Sequence, residues 1–184
     1  MKELTLSYSR WVHQHMLYFD KLVNITNFFP ELERLKIQVS VLPSKGTDPL
    51  IRPLLRLKTL TVTVQSESVL EKLAVLAPKV QHLNLHSDQF SLSSQTGINH
   101  PVVSFGSLAR FQNLETLSLS CSDETWHKIS AESFRGLPEA LTSLRTCHVD
   151  FGFELSAIRK LLEAALRQMF GDKVEIICKH RRHR

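Results

Sequence analysis

The chain has 184 residues, 42% of them apolar, and a formal charge of +5 from 23 Lys and Arg against 18 Asp and Glu. That composition can fill a sizeable core and excludes wholesale disorder, and the length suits one domain. No run of about 18 uninterrupted apolar residues exists to span a membrane, and Met1-Lys2-Glu3-Leu4 lacks the apolar run of a secretory signal.

In chain order, the first element is a strand fragment, Leu4-x-Leu6. Residues 11–29 carry Val12, Met16, Phe19 and Val23 at helical spacing. Leu32-x-x-Leu35-x-Ile37 predicts the next strand, and the loop Pro43-Ser44-Lys45-Gly46-Thr47-Asp48-Pro49 leads on to Leu57-x-x-Leu60-x-Val62. Residues 68–77 read as a helix through Val69, Leu70, Leu73 and Ala77, ended by Pro78. Val80-x-x-Leu83-x-Leu85 precedes a polar insertion, residues 87–101, where Ser91, Ser93, Ser94, Gln95, Thr96 and Gly97 predict a mobile loop. After Leu114-x-x-Leu117-x-Leu119, residues 125–135 predict a helix closed by Gly136-Leu137-Pro138. Leu144-x-x-Cys147-x-Val149 comes before the clearest helix, residues 156–170. Its stripe is Ile158, Leu161, Leu162, Ala165, Leu166, Met169 and Phe170, with Ser156 as N-cap and Gly171 as the C′ residue. A half-strand, Val174-x-Ile176, then runs into the basic end Lys179-His180-Arg181-Arg182-His183-Arg184.

The apolar segments are copies of one unit. Their central positions, Leu4, Leu35, Leu60, Leu83, Leu117, Cys147 and Val174, are separated by 31, 25, 23, 34, 30 and 27 residues. A strand plus a returning helix needs a unit of this length. Alternate strand side chains face opposite sides, so Leu35 and Ile37 point inward together, and Val39, Val64, Cys121 and Phe151 continue their rows. One strand cannot bury such a row, but parallel strands stacked side by side and backed by helices can. The expected fold class is therefore α/β, a solenoid of about seven parallel strands on a concave face with helices on the convex face. Residues 1–178 form its domain and residues 179–184 a solvated tail. A chain start inside the array implies that the domain is truncated at its N-terminus.

The lines Phe29-Pro30-Glu31-Leu32-Glu33-Arg34-Leu35-Lys36-Ile37 and Phe111-Gln112-Asn113-Leu114-Glu115-Thr116-Leu117-Ser118-Leu119 resemble leucine-rich repeats. Their long, irregular, helix-bearing form is most similar to the substrate-recognition half of F-box leucine-rich-repeat proteins. The resemblance covers nearly the whole chain. It implies the substrate-binding part of a cullin-type ubiquitin ligase, with the ligase adaptor bound through a segment absent here. The chain departs from the pattern at the Asn that caps each turn, where Ser40, Gln65, Asp88, Ser122 and Gly152 stand. All but Gly152 can still offer a side-chain hydrogen bond.

With inward positions filled, recognition falls to outward ones. Three rows are expected across the sheet: Glu3, Arg34, Thr59, His82, Thr116, Thr146 and Lys173; then Thr5, Lys36, Thr61, Asn84, Ser118, His148 and Glu175; then Ser7, Gln38, Thr63, His86, Ser120, Asp150 and Ile177. The candidate protein-binding residues are Arg34, Lys36, His82, Asn84, His86, His148 and Asp150. A metal site is not expected, because His82 and His86 stand roughly 13 Å apart along a strand while zinc binds imidazole nitrogen at about 2.0–2.1 Å. His13 and His15 point to different helix faces. Asp123-Glu124 with His127 suits a helix N-terminus better than a catalytic set, and no phosphate-cradling glycine motif is present. The reading is non-catalytic, with no cofactor.

Three cysteines, Cys121, Cys147 and Cys178, fit neither a zinc pattern nor a closed disulfide framework, and reduced thiols suit the cytoplasm or nucleus. Lys179, Arg181, Arg182 and Arg184 supply four of the five net charges, leaving residues 1–178 at +1. The basic pI thus describes the chain end. A nuclear or nucleic-acid-associated scaffold using these four residues is the alternative function, although nucleic acid is disfavoured for want of interleaved aromatic residues.

Overall fold

The computed structural model describes residues 1–7, 16–46, 50–87, 104–121, 129–151 and 156–180; the side chains of residues 151, 156–159, 179 and 180 fall outside that description. Eight parallel strands form one sheet: β1 (Glu3–Leu6), β2 (Met16–Tyr18), β3 (Arg34–Leu42), β4 (Thr59–Val64), β5 (His82–Ser87), β6 (Thr116–Cys121), β7 (Thr146–Phe151) and β8 (Glu175–His180). From β3 onward, strands adjacent in sequence are adjacent in space. β1 and β2 both pair with the same edge of β3, β1 along Arg34–Ile37 and β2 along Ser40–Leu42. Among the described residues four α-helices accompany the strands: α1 (Phe19–Thr26), α2 (Glu67–Leu76), α3 (Leu137–Ala140) and α4 (Ser156–Phe170). The chain is thus an α/β protein built on a single parallel sheet.

Burial follows the two-residue period of a strand. Leu60, Val62 and Val64 of β4, Leu83 and Leu85 of β5, and Leu117 and Leu119 of β6 are buried, and the residues between them are not. The first Leu of each copy (Leu32, Leu57, Val80, Leu114 and Leu144) is buried as well. Its amide closes a tight turn onto the carbonyl three residues earlier: Phe29, Leu54, Ala77, Phe111 and Leu141. The recurring unit is therefore nine residues, one turn longer at its start than the six-residue pattern.

A second regularity binds the units together. In five consecutive units, the carbonyl just before the strand accepts two amides from the next unit. Lys2 receives Glu33 and Arg34, Glu33 receives Lys58 and Thr59, and Lys58 receives Gln81 and His82. Gln81 then receives Glu115 and Thr116, and Glu115 receives Arg145 and Thr146, all at 2.8–3.2 Å. Groups that would be orphaned at the sheet rim are thereby satisfied by main chain alone.

The helices close the core from the inward side. α1 buries Phe19, Leu22, Val23 and Thr26 on one stripe, and the Thr26 hydroxyl donates to the Val23 carbonyl at 3.0 Å. α2 buries Val69, Leu70, Leu73, Ala74 and Leu76. Its first residue, Glu67, accepts from the Ser107 amide at 3.2 Å and the Ser107 hydroxyl at 2.9 Å, tying α2 to the 3₁₀ turn Gly106–Arg110. Phe105 before that turn stacks on Phe134 at 5.0 Å between ring centroids. α4 buries Leu162, Leu166 and Phe170, and Gly171 follows it at φ 60°. Arg167 bonds Glu163 at 3.0 Å and the Ile176 carbonyl at 3.1 Å, locking α4 to β8.

Several sequence expectations are corrected. Residues 16–18 are strand rather than helix, because the nine-residue β3 outruns β1 and offers its remaining edge to them. β3 carries an irregularity between Lys36 and Ser40, so Val41, not Val39, pairs with Val64. Val39 is only partly buried. Of the predicted helix 125–135, the described residues hold a 3₁₀ turn, Ala131–Phe134, and Gly136 at φ 76° opens α3 instead of closing a helix. Leu161 points out of the stripe and is 73% exposed. β8 runs through His180, so the backbone of Lys179 belongs to the sheet. Residues 8–15, residues 47–49, residues 88–103, residues 122–128 with Asp123, Glu124 and His127, residues 152–155 and residues 181–184 lie outside the described residues.

Candidate functional site

Strand register decides which residues share a row across the sheet. Lys36, Thr61, Asn84, Ser118, His148 and Ile177 form one row. Arg34, Thr59, His82, Thr116, Thr146 and Glu175 form the row toward the strand starts. Ser40, Thr63, His86, Ser120, Asp150 and Lys179 form the row toward the strand ends. Two details differ from the sequence reading. Ser40 replaces Gln38, because of the β3 irregularity, and β8 enters two residues later, bringing Glu175, Ile177 and Lys179 in place of Lys173, Glu175 and Ile177.

The middle of this face is a trough. β6 presents only Thr116, Ser118 and Ser120 outward, while β5 and β7 raise Asn84, His86, His148 and Asp150 on either side. Two interstrand steps make the span from β5 to β7 about 10 Å. The result is a cleft of about 280 Å³ lined by Thr61, Asn84, His86, Ser118, Ser120, His148 and Asp150, with Leu85 and Leu119 among its lining residues. Four of the seven predicted residues thus come together. Arg34, Lys36 and His82 lie on the same face but do not line the cleft, and Arg34 is engaged by Glu3 at 3.7 Å. Sequence reasoning passed over Ser118, Ser120 and Thr61. Their signal is the Thr-x-Ser-x-Ser run of β6, small where both neighbours are large.

Internal bonds fix part of the cleft. Asn84 Nδ2 donates to Thr61 Oγ1 at 3.2 Å, and His86 Nδ1 and Ser120 Oγ are hydrogen-bonded at 2.7 Å. His148 Nδ1 is buried and has no hydrogen-bond partner among the described residues. Leaving such a group unsatisfied costs about 1–3 kcal/mol, a penalty that an incoming polar group can remove. The hydroxyl–imidazole pair is half of a nucleophilic constellation. However, β6 lies between two paired strands, so its amides are committed to the ladder and do not face a developing oxyanion.

No group of three or more His, Cys, Asp or Glu side chains with metal-holding geometry occurs among the described residues. Cys121 and Cys147 are buried free thiols and Cys178 is half-buried. Burial, with the neighbouring Cys178 thiol adding to it, pushes the Cys147 thiol up to about 12, so it is a core atom and not a nucleophile. At the rim, the Lys2 ammonium 2.9 Å from Glu33 holds that carboxyl below its ordinary range. Lys179 sits in β8, while Arg181, Arg182 and Arg184 lie outside the described residues. No helix among the described residues is long and apolar enough to cross a membrane. Compared with protein-family models, with curated proteins and with solved structures, the chain matches none.

Proposed function

We propose that the chain is a leucine-rich-repeat-type solenoid that recognises a protein partner on its open sheet face without catalysing a reaction. The observation that carries this reading is the trough: a polar cleft running over four strands, β4 to β7, on a face that no described helix covers, with one buried imidazole nitrogen still unpaired. Solenoids that bury one strand row and leave the other open present such faces to partners. The nine-residue unit and its repeated main-chain bond support the repeat reading. From the resemblance of the repeat lines, the partner class is a substrate delivered to a cullin-type ubiquitin ligase in the cytoplasm or nucleus.

The test is affinity purification from cells with quantitative mass spectrometry, comparing the wild-type chain with an Asn84→Ala, His86→Ala, His148→Ala, Asp150→Ala variant. The expected result is a defined partner lost from the variant while its circular dichroism is unchanged. Co-recovery of cullin-ligase subunits supports the ligase assignment. Full retention of every partner by a folded variant overturns the assignment of the face.

A further inference from the structure

A second cleft lies away from that face, at the rim where the strands begin. It has a volume of about 430 Å³ and is lined by Glu33, Leu55, Arg56, Lys58, Lys79, Gln81 and Asn113. The nine-residue unit builds it. The residues two before, and at, the clamping carbonyl of successive units come side by side: Arg56 with Lys58, then Lys79 with Gln81, then Asn113. We propose that this rim cleft binds an acidic, leucine-bearing segment of a protein partner.

The charges decide the polarity of the ligand. Of the acids nearby, Glu33 is bonded to Lys2 at 2.9 Å, Glu31 is paired with Arg56, and Glu115 accepts from Gln81 at 3.0 Å. Lys58 and Lys79 are exposed and have no ion-pair partner among the described residues. Gln81 is neutral and leaves Glu115 charged, but Lys2, Arg56, Lys58 and Lys79 outnumber Glu31, Glu33 and Glu115 by one. Gln81 spends an amide proton on Glu115, and Asn113 Nδ2 donates to the Pro78 carbonyl at 3.0 Å, so both amides are held in place.

Carboxylates of a peptide fit better than a phosphodiester chain. Among the described residues no aromatic side chain lines the cleft, so it offers no platform on which a base could stack. Leu55 lines it and is 64% exposed, offering an apolar contact that a leucine of the partner can cover. The cleft shares no lining residue with the sheet-face trough, so this inference does not rest on the function proposed above.

The experiment uses the full chain and fluorescein-labelled peptides read by anisotropy. The probe alternates Asp-Glu with Leu; one control replaces the acids by Gln, and a second replaces the Leu by Ser. The acidic leucine probe should bind saturably and weaken as salt rises. Lys58→Glu with Lys79→Glu should lower affinity by roughly tenfold or more, since opposite charges are replaced by like ones. Lys58→Arg with Lys79→Arg should retain binding, and Lys173→Glu, on an exposed site away from the cleft, should not change it. Equal binding of the Gln peptide, or undiminished binding by a folded Lys58→Glu, Lys79→Glu chain, overturns the proposal. So does displacement of the probe by single-stranded RNA at lower concentration than by unlabelled acidic peptide.

Discussion

Cys147 occupies the place of an inward leucine in β7, and burial raises its thiol well above the ordinary range. A thiol whose folded value is raised favours the folded chain while it stays protonated. That advantage is whole below the ordinary thiol value of 9.0 and is lost as pH climbs from there toward about 12. Unfolding free energies from urea titrations should therefore fall between pH 9 and pH 11, by up to about 1.4 kcal/mol per pH unit, and Cys147→Ala should flatten that slope. Iodoacetamide should label Cys178 in the folded chain well before Cys147. Glycines make a different residue-scale case. Gly136 at φ 76° and Gly171 at φ 60° have open space where a Cβ would stand, so only the backbone objects to a side chain. Gly171→Ala should cost about 1 kcal/mol in thermal or urea unfolding, whereas Gly46→Ala should be close to neutral.

At the scale of elements, strands differ in how completely they are enclosed. Leu117 in β6 is buried beneath strands on both sides, while Leu4 in the edge strand β1 is only partly buried. Leu117→Ala should cost about 2–5 kcal/mol and Leu4→Ala clearly less, both measured by urea denaturation. The apolar positions that enclose these strands were legible in the sequence, because burying a row demands apolar side chains at fixed intervals. What was illegible has identifiable causes. Val174-x-Ile176 and Ile176-x-Cys178 satisfy the same alternation, and a slip of two residues keeps every side chain on its face. Val39-Ser40-Val41 gives no sign of which member the irregularity expels. Met16, Leu17 and Tyr18 fit a helix stripe as well as an edge strand until β3 is known to overhang β1. The outward rows of the candidate site were readable, but the trough was not. A trough depends on Ser118 and Ser120 being small beside Asn84, His86 and His148, which is a relation between strands rather than a property of any one.

For the whole molecule, order should fall away from the centre of the sheet. β4 to β7 each have a partner strand on both sides, whereas β1 and β2 share one edge of β3 and β8 pairs only with β7. Native-state hydrogen exchange should show the slowest amides in β4, β5 and β6, and the fastest strand amides in β1, β2 and β8. Uniform protection across all eight strands would contradict that ordering.

The clamp in which one carbonyl takes two amides of the following unit uses no side-chain atom. Spatial periodicity is therefore separated from chemical identity at the rim. Lys2, Glu33, Lys58, Gln81 and Glu115 hold equivalent main-chain positions although they differ in charge and length. Substitution at these sites can rewrite what the rim attracts or repels while the spacing of the strands stays fixed. The binding preference of the rim can thus diverge without disturbing the sheet behind it, and the trough on the open face can diverge independently of both.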